Sequence, residues 1–345
     1  MKGRVVALDH LQGRQAAALL VDGRLADFLI DPEKGAGPAP GTIFRAICDR
    51  PLKGQGGMML RLPQGTGFLR HGKNLRPGQA IMVQVTGYAE GGKATPVTQK
   101  IVFKGRYIIV TPGAPGINIS RRIHDEDEKL RLLELVDSVA KSDLELGIIV
   151  RSQALGAPAD DIAEDVEAML QAAGEVMSDT GTDATLLQNG PGAHQLGWRE
   201  WDAPDLVASQ DGSFEEHGVL DAIEALSDPR VELSGGGFIF IEPTHALVAV
   251  DVNTGGDMSM AAGLKANLAC ARALPRQLCL RGLGGQITLD LAPMPKKDRR
   301  LFESTLRSAL RADPIETALV GWTPLGHYEL QRKRERLPVT EGLIQ

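Results

Sequence analysis

The stretch HALVAVDVNTGGD (residues 245–257) predicts a β-strand that ends in a polar turn. Its apolar and β-branched residues favour an extended strand, and the two glycines soon after Asn253 favour a turn. Asp251 stands inside the apolar run, although strands are depleted in aspartate and an ionised carboxylate is costly to bury without a partner. A partner for Asp251 is therefore expected elsewhere in the chain.

A second aspartate, Asp290, stands in the apolar strand pattern GQITLDLAPM (residues 285–294). The interval between Asp251 and Asp290 fits a strand–helix–strand unit, whose parallel strands end at the same edge of a sheet. Two neighbouring carboxylates repel each other unless a cation lies between them. Mg²⁺ prefers oxygen ligands, and Asn253, two residues after Asp251, would lie on the same face of the strand. We therefore predict a site for Mg²⁺, with Mn²⁺ as an alternative ion, at Asp251 and Asp290 with Asn253 beside it.

A simpler interpretation of the two aspartates stays open. Aspartate is common in turns and at the start of helices, so Asp251 could serve the turn and Asp290 could cap the helix that follows. The spacing of the two residues does not choose between a cap and a metal site.

The composition of the chain narrows its class. Its 345 residues are enough for two or more domains, and 43% hydrophobic residues indicate a folded protein. A net charge of −6 excludes a uniformly basic nucleic-acid coat but not a local basic patch. The sequence lacks an apolar run of membrane-spanning length and a signal-peptide pattern at its start. Because Cys48, Cys270 and Cys279 form no C-x-x-C pair, we expect a cytoplasmic protein with free thiols and no cysteine zinc site.

Patterns elsewhere predict the rest of the architecture. Apolar runs on both sides of Asp22-Gly23 indicate a hairpin with a tight turn. Five short strand patterns between residues 41 and 104 favour a small barrel. Two strand and two helix patterns follow, then a loop-rich segment over residues 178–210. Strands that alternate with helices in the last third are typical of an α/β layer.

Two segments near the end carry helix signals. Ser213 followed by Glu216 matches a capping box that would open a helix over residues 214–226. The segment PLGHYELQRKRERL (residues 324–337) begins with proline and predicts a final helix. His245 and His327 are interpreted as packing or surface residues, because the histidines show no pairing at metal-ligand spacing.

The quoted segments together resemble the ribonuclease E/G family. The resemblance is carried by VELSGGGFIFIEPTHALVAVDVNTGGD with LGGQITLDLAPM, by GRQAAALLVDGRLADFLID, by GRYIIVTPGAPGINISRRI with LGIIVRSQALG, by SFEEHGVLDAIEALSDPRVELSGG and by LGHYELQRKRERL. It covers almost the whole chain in order. It implies an α+β and α/β fold of several subdomains: an RNase H-like portion (1–40 and 195–230), an inserted S1-type OB barrel (41–104), an inserted 5′-sensor subdomain (105–194) and a DNase I-like catalytic domain (231–345).

The resemblance also implies an activity. Members of the family are Mg²⁺-dependent endoribonucleases that cut single-stranded RNA. For this chain we expect a metal-activated water to attack the phosphate, so that the products carry a 5′-phosphate and a 3′-hydroxyl. On the family pattern Asp251 and Asp290 match the metal-binding aspartates, and Asn253 matches the asparagine that accompanies them in catalysis. The residue chemistry and the resemblance therefore select the same three side chains.

Residues that bind the body of the RNA are matched on the same pattern. Phe68 and Lys93 of the barrel and Arg121 and Arg122 of the sensor match RNA-contacting positions, and Leu60 matches a second barrel aromatic. Aromatic side chains on such a barrel stack on bases, and basic ones contact phosphates. A place in the barrel core is the alternative for Phe68.

The 5′ end of the RNA is matched by a separate set. Gly105, Ile109, Arg151 and Ser152 match the residues that hold a 5′-monophosphate in the family. An arginine can bind phosphate with two parallel hydrogen bonds, and serine adds a hydroxyl donor. We therefore expect RNA with a 5′-monophosphate to be favoured as substrate. A surface salt bridge is the alternative role for Arg151.

Several features depart from the family pattern. The paired-cysteine zinc motif and a C-terminal extension are missing, so we expect no zinc-linked tetramer and favour a monomer over a dimer. Two basic runs could contact phosphates or form solvated helix faces: Lys296, Lys297, Arg299 and Arg300, and Arg332, Lys333, Arg334 and Arg336.

The rival hypotheses are a non-catalytic RNA-binding protein that kept the fold and a metal phosphodiesterase with another substrate. The retained carboxylates favour the nuclease.

Overall fold

The structure is a computed structural model that describes residues 3–52, 56–72, 74–89, 92–140, 146–257 and 259–339. Strands and helices of this part of the chain form four sheets and their covering helices. The strands are β1 (Arg4–Leu11), β2 (Arg14–Val21), β3 (Arg24–Ile30), β4 (Ile43–Leu52), β5 (Gly57–Arg61), β6 (Thr66–Arg70), β7 (Ala80–Val85), β8 (Thr95–Thr98), β9 (Phe103–Lys104), β10 (Ile108–Pro112), β11 (Gly116–Ile119), β12 (Leu146–Val150), β13 (Thr185–Gln188), β14 (Leu206–Ala208), β15 (Arg230–Glu232), β16 (Phe238–Pro243), β17 (Val248–Asn253), β18 (Gly285–Asp290), β19 (Thr317–Trp322) and β20 (Tyr328–Arg332). The helices are α1 (Glu126–Ala140), α2 (Ala159–Met177), α3 (Ala193–Glu200), α4 (Ser213–Glu216), α5 (Val219–Glu224), α6 (Met260–Leu280) and α7 (Arg299–Leu310).

The chain divides into two compact units, which are described separately. The aspartate unit comprises residues 1–36, 192–197 and 203–345, and it contains both predicted metal ligands. The barrel unit comprises residues 37–191 and 198–202. Among the described helices, none combines the length and the apolar character that crossing a bilayer requires.

The first sheet of the aspartate unit has the order β14-β1-β2-β3. Strands β2 and β3 form the hairpin that the sequence predicts, and Asp22 and Gly23 in its turn have φ of 50° and 75°. Positive φ at both central residues defines a type I′ turn, which suits aspartate followed by glycine. This prediction is confirmed.

The helix predicted over residues 214–226 is two short helices, α4 and α5, separated at Gly218, whose φ is 65°. The capping-box prediction is wrong. Ser213 is buried, and its hydroxyl donates to the carbonyl of Leu8 (2.8 Å). The carboxylate of Asp9 instead accepts from the backbone N–H of Phe214 (3.0 Å). The tertiary contact of Ser213 with β1 therefore takes the hydroxyl that a local cap would have used.

Five strands of the barrel unit close on themselves in the order β4-β5-β6-β8-β7, with β7 pairing back to β4. Their inward residues form one apolar cluster, which includes Ala46, Leu69 and Val83. The predicted small barrel is confirmed. Strand β13 pairs antiparallel with the first residues of β4 and is not one of the five strands of the barrel.

The segment predicted as loop-rich, residues 178–210, contains β13, α3 and β14. More than half of the segment is loop, as predicted, but the sequence did not reveal these three elements because each is too short to show a periodic pattern. Strand β13 is fixed by pairing with β4, and β14 by parallel pairing with β1. Both partners lie far away in the sequence, so local pattern does not reveal the pairing.

A second sheet of the barrel unit has the order β11-β12-β10-β9. Helices α1 and α2 bury one face each against it, and Leu132, Val136, Ile162 and Val166 are fully buried there. The two strand and two helix patterns predicted for this region are confirmed.

The largest sheet of the aspartate unit has the order β15-β16-β17-β18-β20-β19. Helices α6 and α7 cover one of its faces, where Val250, Leu274, Leu289 and Phe302 join the core. Alternation along each strand sends every second side chain to the opposite face, which these two helices do not cover. That opposite face is called the open face below.

The final helix predicted over residues 324–337 does not form. Strand β20 occupies this segment, with Tyr328, Leu330 and Arg332 buried and Glu329 and Gln331 on the other face. This is a period of two, which belongs to a strand. Pro324 and the following residues form the turn between β19 and β20. Pro324 therefore marks a turn and not the start of a helix. Pairing with β18 makes the residues that follow the turn a strand.

Candidate functional site

The two predicted metal ligands lie side by side on the open face of the aspartate unit. Strands β17 and β18 are parallel neighbours, and Asp251 and Asp290 are register partners at their C-terminal ends. Adjacent strands lie about 4.8 Å apart, so the two carboxylates share one small region. The predicted strand–helix–strand arrangement is confirmed, with α6 as its helix.

Strand alternation explains how aspartates fit in apolar strands. Val250, Val252 and Leu289 point into the core, so Asp251 and Asp290 point to the open face. The side chain of Asp290 is 68% exposed. Neither carboxylate is buried, so the cost of burying an ionised carboxylate, which the apolar strand pattern had suggested, does not arise.

Asn253 is the contact of Asp251 within its own strand. Its side-chain amide donates to Asp251 Oδ2 at 2.9 Å, as the two-residue spacing predicts. In the described part of the chain, this pair of aspartates included, no group of three or more histidine, cysteine, aspartate or glutamate side chains is arranged to hold a metal ion. The donor set here is two carboxylates and an amide. This set fits Mg²⁺, which commonly uses one or two protein carboxylates and keeps several waters.

His327 is a neighbour of the site that the sequence interpretation missed. Its Nδ1 lies 3.3 Å from Asp290 Oδ1. The residue stands in the turn before β20, which the sequence assigned to a helix. The strand pairing of β18 with β20 brings it to Asp290. An alternating pattern over residues 328–332 was the signal that could have placed it.

Two phenylalanines flank the aspartates on the open face. Phe240 is the register partner of Asp251, and Phe238 is the register partner of Asn253. The rings meet edge to face, with 5.6 Å between centroids, and the guanidinium of Arg230 lies 4.0 Å from the Phe238 ring centroid. Directly opposed residues of antiparallel strands share a face, so these half-buried rings border the carboxylates.

The loop after Asn253 packs closely on residues 233–237. A Cβ on Gly237 would lie 2.6 Å from the carbonyl oxygen of Asn253, so only glycine fits there. A cavity of about 190 Å³ opens beside this loop, and Lys265 is among the side chains that line it. Asp257, the second aspartate of the opening stretch, has a local role: its carboxylate accepts from the backbone N–H of Ser259 (2.9 Å), the N-cap of α6.

Arg151, the predicted phosphate ligand, is tied into the barrel unit. Its Nη1 donates to the carbonyls of Gly105 (2.6 Å), Arg106 (3.0 Å) and Arg199 (3.1 Å). Its Nη2 donates to the carboxylate of Glu200 (2.8 Å). The structure therefore brings Arg151 and Gly105 together, as the resemblance implies, but gives Arg151 an internal anion.

The other predicted 5′-end residues lie nearby. Ser152 follows Arg151, and its hydroxyl lies 3.4 Å from Gln153 Oε1. Ile109 is half-buried on β10, which pairs with β12, the strand that ends just before Arg151. Gly105 is required by its surroundings, because a Cβ there would lie 2.3 Å from the carboxylate of Asp165.

Asp165 holds the turn beside Gly105. Its carboxylate accepts from the backbone N–H groups of Arg106 (3.1 Å), Tyr107 (2.7 Å) and Ile108 (3.1 Å). This turn carries two of the carbonyls that receive Arg151. Asp165 therefore positions the acceptors that fix the arginine.

Glu200 is the second functional group that the sequence interpretation missed. Its carboxylate contacts the cations of Lys104 (2.9 Å), Arg151 (2.8 Å) and Arg199 (2.7 Å). Burial opposes ionisation of this carboxyl, but the charges of Lys104, Arg199 and Arg151 outweigh it and lower its pKa to about 2. The carboxylate is therefore charged at neutral pH. It lies in the segment that the sequence assigned to loops.

The barrel residues matched to RNA contacts differ from one another in exposure. Phe68 is half-buried on β6 and lies outside the apolar cluster of the barrel. Leu60 is 1% exposed inside that cluster, so it offers no surface on which a base could stack. Met59 is the register partner of Phe68 and shares its face. Lys93 is exposed on the barrel unit.

Arg121 and Arg122 are exposed just after β11, and across the described ranges neither guanidinium has an acidic partner. Several residues of the two basic runs are engaged within the fold. Arg332 is buried against Asp313, and Lys333 contacts Glu316 (2.6 Å). Arg299 stacks over Trp322, 4.1 Å from its ring centroid. Arg332 is therefore not a phosphate contact.

Comparison with known proteins bears on this arrangement. The model of the family described as "Ribonuclease E/G family" matches residues 102–195 and 198–335. Ribonuclease G of Salmonella typhimurium is 30% identical over 308 residues, which cover 78% of this chain and 62% of that protein. Ribonuclease E of Nostoc sp. is 29% identical over 302 residues, covering 76% and 44%. Ribonuclease G of Escherichia coli is 29% identical over 301 residues, covering 76% and 61%.

The chain belongs to the ribonuclease E/G family, since the family match covers most of its length. The resemblance inferred from the quoted segments is confirmed. The chain spans about six-tenths of the length of the ribonuclease G relatives and under half of the ribonuclease E relative.

Proposed function

We propose that the chain is a Mg²⁺-dependent endoribonuclease that cleaves single-stranded RNA. The observation that carries the proposal is the register pairing of Asp251 with Asp290 on the open face, with the amide of Asn253 on the first carboxylate. Family membership supports RNA as the substrate. The half-buried rings of Phe238 and Phe240 border the carboxylates and offer bases a surface for stacking.

The residues of the chain have distinct parts in this mechanism. Asp251 and Asp290 would hold the ion, and Asn253 orients the carboxylate of Asp251 by its 2.9 Å hydrogen bond. His327 contacts the carboxylate of Asp290 and limits its rotation. Bound Mg²⁺ supplies Lewis-acid chemistry, by lowering the pKa of a water and neutralising charge on a phosphate.

The end groups of the products test this mechanism. Labelled single-stranded RNA is incubated with the chain in Mg²⁺, in Mn²⁺ or in EDTA. Cleavage is expected only with a metal ion, and the new ends should be a 5′-phosphate and a 3′-hydroxyl. Ends with a 2′,3′-cyclic phosphate would contradict attack by water. Binding without any cleavage in Mg²⁺ or Mn²⁺ would favour an RNA-binding protein.

The division into subdomains forms part of the proposal. Residues 1–40 and 195–230 are assigned to an RNase H-like portion, 41–104 to an S1-type OB barrel, 105–194 to a 5′-sensor and 231–345 to a DNase I-like catalytic domain. The closed five-stranded barrel supports the second of these assignments. Absence of zinc, a monomeric state and a cytoplasmic location stay predictions.

We assign RNA contacts to Phe68, Lys93, Arg121 and Arg122 of the barrel unit. Phe68→Ala should weaken binding of single-stranded RNA roughly fivefold or more, because stacking on an aromatic contributes about 1–3 kcal/mol per base. Stability should change little, since Phe68 lies outside the barrel core. Fluorescence anisotropy with labelled RNA in EDTA measures the affinity. Phe68→Tyr, which keeps the ring, should bind as wild type does, and equal affinity of Phe68→Ala would remove Phe68 from the interface.

The 5′-end residues Gly105, Ile109, Arg151 and Ser152 carry a separate prediction. RNA with a 5′-monophosphate should be cut about tenfold or more faster than the same RNA with a 5′-hydroxyl, since one charge-assisted contact contributes about 1.5 kcal/mol or more. Arg151→Ala should erase this difference. Cleavage rates of both RNAs are measured for each variant.

Loss of structure needs a separate readout for this variant, because Arg151 also binds three backbone carbonyls. A purely structural effect of Arg151→Ala would slow both substrates alike. Thermal unfolding reports any loss of stability. A wild-type ratio that survives in Arg151→Ala would exclude Arg151 from 5′-end recognition.

A further inference from the structure

We infer that Glu200 is a specificity-determining residue whose carboxylate occupies the anion site that Arg151 would otherwise offer to an RNA 5′-phosphate. The inference deepens the proposed function and rests on it for the identity of the ligand. It makes the preference for a 5′-monophosphate the outcome of a competition between an internal carboxylate and the RNA.

The hydrogen bonds of Arg151 define what a phosphate would have to displace. Nη1 is committed to carbonyls of the fold, which hold the guanidinium in place. Nη2 donates to Glu200. A phosphate oxygen that approaches this edge of Arg151 therefore meets the carboxylate of Glu200.

The cations around Glu200 form a site that suits a phosphate. Lys104, Arg151 and Arg199 converge on one carboxylate, with contacts of 2.7–2.9 Å. Three positive charges surround one carboxylate, and with the nearby Asp165 counted one positive charge is left over, which a phosphate monoester with nearly two negative charges would balance in place of Glu200. Arginine and lysine at such distances make the charge-assisted hydrogen bonds that bind phosphates.

The carboxylate has the advantage of being part of the chain. Glu200 is the last residue of α3, so its carboxylate is always at a high effective concentration at the site. A 5′-phosphate must arrive from solution. Glu200 therefore keeps the wild-type preference for a 5′-monophosphate below the level that the cations alone would support.

Glu128 provides a matched control in the same unit. It pairs with Arg131 (2.7 Å), and its side chain is 17% exposed, as is that of Glu200. Hydrogen bonds from Arg131 and from the backbone of Gly156 lower its pKa to about 2. Its change to glutamine removes the same charge from the same unit, and its partners are Arg131 and the backbone of Gly156, not the cations that surround Glu200.

Binding is measured in EDTA, so that no step depends on cleavage. A short single-stranded RNA with a 5′-monophosphate and the same RNA with a 5′-hydroxyl are titrated against wild type, Glu200→Gln and Glu128→Gln by fluorescence anisotropy. The quantity compared is the ratio of the two dissociation constants. Glu200→Gln should raise the preference for the monophosphate about tenfold, roughly the contribution of one charge-assisted contact, whereas Glu128→Gln should leave it unchanged.

Further variants separate the outcomes. Arg151→Met in the Glu200→Gln chain should abolish the gain. If Glu200→Gln does not fold, Glu200→Asp, whose carboxylate is one methylene shorter, should raise the preference by a smaller factor. A ratio in these variants equal to that of wild type or of Glu128→Gln would overturn the inference. Normal cleavage with an unchanged ratio overturns this inference alone, whereas failure of every variant to bind RNA overturns the proposed function as well.

Discussion

Asp290→Asn is expected to abolish Mg²⁺-dependent RNA cleavage, by roughly a thousandfold or more, because metal-ion catalysis contributes several kcal/mol and each 1.36 kcal/mol is tenfold in rate. Asp251→Asn should have an effect of the same size, since the two carboxylates are register partners. Single-turnover cleavage of labelled single-stranded RNA measures the loss. EDTA should reduce wild type to the level of the variants.

The fold should survive this change. The side chain of Asp290 is 68% exposed, and its neutralisation removes repulsion from the adjacent Asp251 in the metal-free protein. Thermal unfolding in EDTA should therefore show equal or slightly greater stability. Asp211→Asn, which neutralises an exposed aspartate elsewhere in the same unit, serves as the control and should cleave normally. Cleavage by Asp290→Asn at the wild-type rate would remove the aspartates from the mechanism.

Asp313→Ala is expected to lower the unfolding free energy of the aspartate unit by about 3–5 kcal/mol, because it leaves the buried charge of Arg332 without its partner. Arg332 and Asp313 have side chains that are 0% and 1% exposed, and they form a two-point contact at 2.7 and 3.1 Å. Arg332 pairs in register with Gly285 of β18, the strand that carries Asp290. The loss should therefore lower activity together with stability.

Urea unfolding of matched variants measures this cost. Glu232→Ala removes a partner of Arg230 in a pair whose side chains are 46% and 70% exposed, and it should change stability by at most about 1 kcal/mol. Replacing both members of the buried pair, in Asp313→Leu with Arg332→Met, should recover much of the loss, since no charge is left unpaired. Equal effects of Asp313→Ala and Glu232→Ala would show that burial does not decide the value of these pairs.

Sequence alone determined the features that depend on local pattern. The turn at Asp22-Gly23 needs residues that tolerate positive φ, and the dipeptide announces it. Strand alternation fixes which side chains of residues 248–253 share a face, so the contact of Asn253 with Asp251 followed from a spacing of two. A crossover helix of suitable length predicted that Asp251 and Asp290 would be neighbours.

Tertiary structure decided the features that depend on a distant partner. Pro324 suggests a helix over residues 324–337, yet residues 328–332 form β20 because β18 supplies the hydrogen bonds, and this pairing brings His327 to Asp290. Pairing of β5 with β6 places Met59, and not Leu60, beside Phe68. The carboxylate of Glu200 contacts cations that lie up to 96 residues away in the sequence. A period of two or 3.6 residues reports which side chains of one segment point together, but the choice of partner depends on which distant surface buries them, and only the folded chain contains that information.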